Sequence, residues 1–472
     1  MAAYFAAMFT ISWLTGRKAD NAGFFNGNKK NSWWLVTLAM ISSSMSGVTY
    51  VSVPGMVNVS AFGYLQMCLG FIAGYIVIAY VLTPVFYKLD VISIYQYLEK
   101  RFGVSSYKTG AWFFFISKIL GASVRLFLVC LALQFLVFDH IGIGFIFNVL
   151  ISVAIVLAYT FRGGVKSVIG NDILKTFCML ASVILCLVFI SKSLNLDFKS
   201  LLSSVSASEM SRIFFFDDVK STGYFWKQFI GGFFIVVAMT GLDQDMMQRT
   251  LSCKNYKESQ KNLVAGTLLQ TVVIFLFLCL GVMLYQFAEL NGIAEKGDKL
   301  FPAVATSGIL PQIAGTLFIL GLVSSAYSAG GSALTSLTTS FTVDILGTEG
   351  KSEKRVNEMR KAVHISMAAL MGLTIVIFNA LNDTSTIDAV YKLASYTYGP
   401  LLGMFAFGIL TKREVRDKYV PIAALVSPVL CLILQLNSEN WFSGYKFGYE
   451  ILVFNAAFTF IGMLALSYRN KA

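Results

Sequence analysis

"MISSSMSGVTYVSVPG", Met40 to Gly55, places five serines, a threonine and two glycines inside an apolar run long enough to cross a membrane. A backbone that leaves helical geometry within a bilayer must have its freed N–H and C=O groups satisfied by protein, water or an ion. Ser42 to Gly47 lowers helix propensity, and Pro54-Gly55 disturbs the same span again. Two readings stand side by side. One is a broken helix whose unwound carbonyls coordinate a cation near the midplane, a device of secondary transporters. The other is a set of small residues that let helices approach closely, with each hydroxyl bonded back to its own helix.

The rest of the chain sets the frame. Of 472 residues, 56% are hydrophobic and only 13% charged, and the mean hydropathy is +0.70. Soluble domains carry roughly a quarter charged residues, so this is an all-α polytopic membrane protein with the lipid bilayer as a partner. The seven cysteines lie almost all in apolar runs without metal or redox spacing, and read as small core hydrophobes.

Apolar stretches of about 20 residues fall at 1–16, 34–60, 62–87, 110–138, 141–160, 168–192, 223–247, 262–288, 311–343, 360–380, 387–410, 418–436 and 447–468. The first lacks the basic start and cleavage site of a signal peptide and is expected to span. The formal charge of +12 raises nucleic acid as a partner, but placement decides otherwise. Loops on one side, Arg249 to Lys261 among them, hold 25 of the 37 Lys and Arg, and the opposite loops hold eight. That asymmetry alternates correctly across thirteen segments, which puts the N-terminus outside and the C-terminus in the cytoplasm. The positive charge is topological, and no nucleic acid partner is expected.

A second hydroxyl-rich span favours the ion reading. Leu322 to Leu346, "LVSSAYSAGGSALTSLTTSFTVDIL", carries Ser325, Ser328 and Ser332 on one helical face, where hydroxyls and a carbonyl could complete an oxygen cage. Asp172 is an intramembrane carboxylate, costly and by default functional. The plainer alternative is a local pair with Lys175 at i+3.

Several segments, taken in order, resemble the sodium/solute symporters, a family that includes sodium/glucose, sodium/proline and bacterial sialic acid cotransporters. They are "SSSMSGVTYVSVPG", "SIYQYLEKRFG" (Ser93 to Gly103), "RGGVKSVIGNDILKTF" (Arg162 to Phe177), "LDQDMMQRTLSCKN" (Leu242 to Asn255), "YSAGGSALTSLTTSFTVDI" and "SYTYGPLLGMFAFGILTKR" (Ser395 to Arg413). The resemblance implies a leucine-transporter-like inverted five-plus-five repeat, 34–192 and 223–410. A leading helix and loop (1–33), an external loop (193–222) and two trailing helices (411–472) would surround it.

It also implies site residues. The main sodium site would take carbonyls of Ser42, Met45 and Ser325 and the hydroxyl of Ser328; the next position, usually Ser or Thr, is Ala329 here. A second sodium site would use Asp172 and Ser332, with Gly331 in place of its other serine. In amino acid transporters of related fold a lysine ammonium can stand in for sodium, a role open to Lys175. Val236 and Met239 stand where sugar transporters carry an asparagine and a gating tyrosine, and Lys392 where they carry a glutamine, so a sugar pocket like theirs is not expected. Arg125 and Lys392 are embedded cations that favour an anionic or carboxylate-bearing solute. The blander account pairs Lys392 with Asp388 and lets Arg125 snorkel. Ser44 and Thr49 complete the expected solute-facing set.

The expected function is sodium-coupled symport of a small organic solute by alternating access, in the cell membrane and most naturally a bacterial inner membrane. The alternatives are a proton-coupled or ion-independent transporter with Lys175 replacing sodium, or a degenerate channel or sensor. No enzyme motif, metal cluster or cofactor site stands out beyond the coupling ion.

Overall fold

The computed structural model is predominantly helical and describes all residues except 1, 18, 46, 135–137, 382–395, 446 and 469–472. Its main helices are α1 (Ala2–Gly16), α2 (Trp33–Ser44), α3 (Gly47–Gly55), α4 (Tyr64–Val77), α5 (Val104–Leu133), α6 (Phe145–Thr160), α7 (Val165–Ser193) and α8 (Phe225–Val236). They continue with α9 (Gln244–Thr250), α10 (Tyr256–Leu290), α11 (Gln312–Ser340), α12 (Glu353–Leu381), α13 (Tyr398–Leu410), α14 (Val420–Leu436) and α15 (Ile451–Ala465). Shorter connecting helices carry no label.

Among the described residues, seven helical runs are long and apolar enough to cross a membrane, or nine if each of two bent pairs is one span. The shorter apolar helices α6, α13 and α15, together with α1, fall on the remaining expected stretches. Of the stretch 387–410, the part up to 395 lies outside the described residues.

The first bent pair is the opening stretch. α2 stops at Ser44, Met45 adopts an extended backbone (φ −105°, ψ 106°), and the chain turns by 65° into α3. The second lies in 223–247, which the sequence reads as one unbroken span. There a π-helical turn, Val237–Gly241, ends in a 73° bend before α9. Asp243 causes the restart: its carboxylate accepts from the N–H groups of Asp245 (2.8 Å) and Met246 (3.2 Å), an N-cap that begins a new helix.

The two breaks are held by long neighbours. α7 lies along α2 and α11, and α1 packs on α7. α4 runs against α8 so closely that a Cβ at Gly70 would stand 2.1 Å from the Phe229 carbonyl oxygen, the small-residue contact that membrane helices use. α13 packs on α15, and α15 on α14. α14 turns Leu425 (62% exposed) and Val429 (56%) outward, an apolar face suited to lipid.

The hydroxyl stripe of α11 is buried, and the packing reading holds for half of it. Ser324, Ser336, Thr338 and Thr339 each donate to a carbonyl three or four residues back. Ser328 and Ser332 instead reach other helices.

Candidate functional site

At the first break stand the carbonyls of Ser42, which also accepts from the Met45 N–H at 3.3 Å, and of Met45. Both accept from Lys175 Nζ on α7, at 2.6 and 2.7 Å. All three residues are buried, Lys175 to 1% exposure. The family resemblance implied sodium at these carbonyls; here an ammonium holds them. The hydroxyls of Ser42 and Ser325 are buried without a hydrogen-bond partner.

Lys175 does not form the i+3 ion pair with Asp172. The fully buried Asp172 carboxylate takes hydrogen bonds from Ser43 Oγ (3.0 Å), Ser328 Oγ and Arg249 Nε (3.0 Å). Arg249, counted from the sequence as a cytoplasmic loop residue, is 1% exposed on α9. It also bonds the Asp245 carboxylate (2.7 Å) and donates to Ser332 Oγ. Lys118 on α5 then bridges Asp245 (2.7 Å) and Asp243 (3.2 Å), and Tyr398 Oη donates to Asp243 (2.7 Å). A chain of charge-assisted bonds therefore ties α7, α11, both breaks, α5 and α13 together.

The neighbouring expected sodium position is also filled. Gly331 has no room for the serine of the family pattern: a Cβ there would stand 1.6 Å from Tyr159 Oη, which donates to the Tyr327 carbonyl at 2.7 Å. Of its other expected ligands, Ser332 and Asp172 are both engaged by Arg249. The side chains at these two positions thus do not fit a sodium ion as arranged.

Beside this network lies a cavity of about 550 Å³. Ser44, Thr49, Arg125, Val236 and Met239 line it, as does Ala329; Lys392, with Asp388, lies outside the described residues. The charged residues among its described lining are Lys118, Arg125 and Arg249 against Asp243 and Asp245, one positive charge in excess.

Sequence reasoning missed Lys118, Asp243, Asp245, Arg249 and Tyr159. Lys118 was signalled by its place in an apolar run, and the Asp245–Arg249 pair by its i,i+4 spacing. The trailing helices were also missed as lining: Gln435, Leu452 and Asn455 reach the cavity.

A model described as "Sodium:solute symporter family" matches residues 24–417. The chain belongs to this family. It is 25% identical to the sodium/sialic acid symporter of Proteus mirabilis over 93% of this chain and 89% of that one. It is 24% identical to the human sodium/iodide cotransporter over 86% and 65%. A solved structure of a Na+-coupled sialic acid symporter in a substrate-bound outward-open state superposes with a TM-score of 0.84 at 20% identity, covering 98% and 96%. Mhp1, a nucleobase-cation-symport-1 transporter in a closed conformation, superposes at 0.58 and 11% identity, covering 95% of each chain. The fold is accordingly the leucine-transporter-like one, and the chain is a multi-pass membrane protein.

Proposed function

We propose that the protein is a secondary active symporter carrying a small anionic, carboxylate-bearing solute through the central cavity by alternating access. Family membership assigns it to sodium-coupled solute symport, the activity named for its sialic acid, iodide and monocarboxylate relatives. The observation that carries the anionic solute is the excess positive charge of the cavity, with Arg125 on its wall. A guanidinium offers a carboxylate two parallel donors, and in a low-dielectric site opposite charges attract strongly. Val236 and Met239 give the cavity apolar lining at the positions where sugar transporters carry an asparagine and a gating tyrosine. Thirteen crossings and an external N-terminus belong to this reading, supported by the charge asymmetry of the loops; the repeat boundaries 34–192 and 223–410 and a bacterial inner membrane follow the family resemblance.

Uptake into proteoliposomes tests it. With an inward sodium gradient, labelled N-acetylneuraminate or lactate should accumulate saturably and labelled glucose should not. Arg125→Met should raise KM for the carboxylate about tenfold or more, as loss of a charged hydrogen bond in a desolvated site does. Saturable glucose uptake with no carboxylate uptake would overturn the anionic reading.

A further inference from the structure

At the first break the group that meets the carbonyls is a side-chain ammonium. Two of the three N–H donors of Lys175 end on the Ser42 and Met45 carbonyls at the bend, the two there that the family resemblance assigned to an ion. Ser328, the one expected hydroxyl ligand, is turned to Asp172, and the next hydroxyl is missing at Ala329. Charge points the same way. Asp172, Asp243 and Asp245 face Lys118, Lys175 and Arg249, three against three, and all six are within one connected network or one turn of it. An added monovalent cation would leave that buried set with uncompensated charge, which a low-dielectric interior penalises.

We infer that the Lys175 ammonium is the resident cation of the helix break, a tethered replacement for sodium, so that the break holds its shape and sodium does not bind at Ser42, Met45 and Ser328. The inference rests on the family reading for the role of the break, and not on which solute is carried.

Sodium alone is the probe. Purified full-length protein is titrated with radiolabelled sodium, beside Lys175→Ala, Ala329→Ser and the double variant. Sodium bound for coupling leaves this position untouched, so Ser328→Ala should keep the parent's sodium stoichiometry. Lys175→Ala opens two carbonyls next to the partnerless Ser42 hydroxyl and should bind one sodium more than the parent; the double variant should hold that ion several-fold more tightly, while Ala329→Ser alone should gain none.

A sodium stoichiometry that a folded Lys175→Ala protein leaves unchanged overturns the inference, since the break would then gain no ion when the ammonium is removed. If Lys175→Ala does not fold, Lys175→Met takes its place for the folded-state control, and the parent decides: sodium binding lost in Ser328→Ala refutes the inference, and unchanged binding upholds it. A failure of carboxylate uptake leaves this result untouched and strikes only the proposed solute.

Discussion

Asp172 and Lys175 sit one turn apart on α7, yet each bonds to a different partner, and the residues opposite decide which. Gly331 shows the same dependence most sharply, because the Tyr159 hydroxyl occupies the space a side chain there would need. Gly331→Ala should cost about 1–3 kcal/mol, the usual penalty for overpacking. Gly330→Ala, whose Cβ would meet Val156 at 3.3 Å, should cost much less. Thermal unfolding in detergent compares the two; equal losses would mean that Tyr159 yields freely. At this scale the sequence was half legible. Lys175 and Asp172 stood out because charges in an apolar run are rare. Arg249 did not, since Lys254 and Lys257 follow it closely and a one-dimensional reading assigns it to their loop.

Among elements, the two bends were not equally visible. The first has a run of weak helix formers, Ser42 to Gly47, while the second is marked at its turn only by Gly241 and the N-cap Asp243, after the largely apolar run Phe229–Met239. Asp243 does two things there: it caps α9 and it anchors Lys118 and Tyr398. Asp243→Asn keeps an oxygen for the cap but loses the charge; Asp243→Ala loses both. Stability should fall in the order parent, Asn, Ala, with the Asn-to-Ala step near the ~1 kcal/mol of a lost cap. If the asparagine variant melts with the alanine variant, the ion pair with Lys118 carries the restart of the helix and the cap adds nothing.

At the scale of the whole molecule, hydropathy and charge alternation made the helical membrane architecture legible, because burial in lipid demands long apolar helices. The inverted repeat was not readable from periodicity and came only through resemblance to the family. Moving Arg249 into the interior leaves the loop asymmetry at three to one, so the orientation argument stands. Six of the seven cysteines are buried, which gives a quiet background for labelling. In intact cells an impermeant maleimide should modify a cysteine at the exposed position of Ser206 and not one at that of Ser352. The reverse pattern would invert the molecule in the membrane.

A charge bonded to the chain through Lys175 has an electrical consequence. A sodium ion that travels with the solute adds a positive charge to each turnover, whereas an ammonium fixed to α7 stays behind. Each turnover would then move one positive charge fewer than if sodium loaded this position, and the interior-negative voltage would lose about 2.3 kcal/mol per 100 mV of its pull, roughly forty-fold in the accumulation ratio. A monoanion that enters with a single sodium is then electrically neutral in transit, and its accumulation draws on the sodium gradient alone. The current evoked by adding solute to a voltage-clamped bilayer under a sodium gradient reads this directly: uptake without current is expected, and inward current would mean that a second mobile cation accompanies the solute.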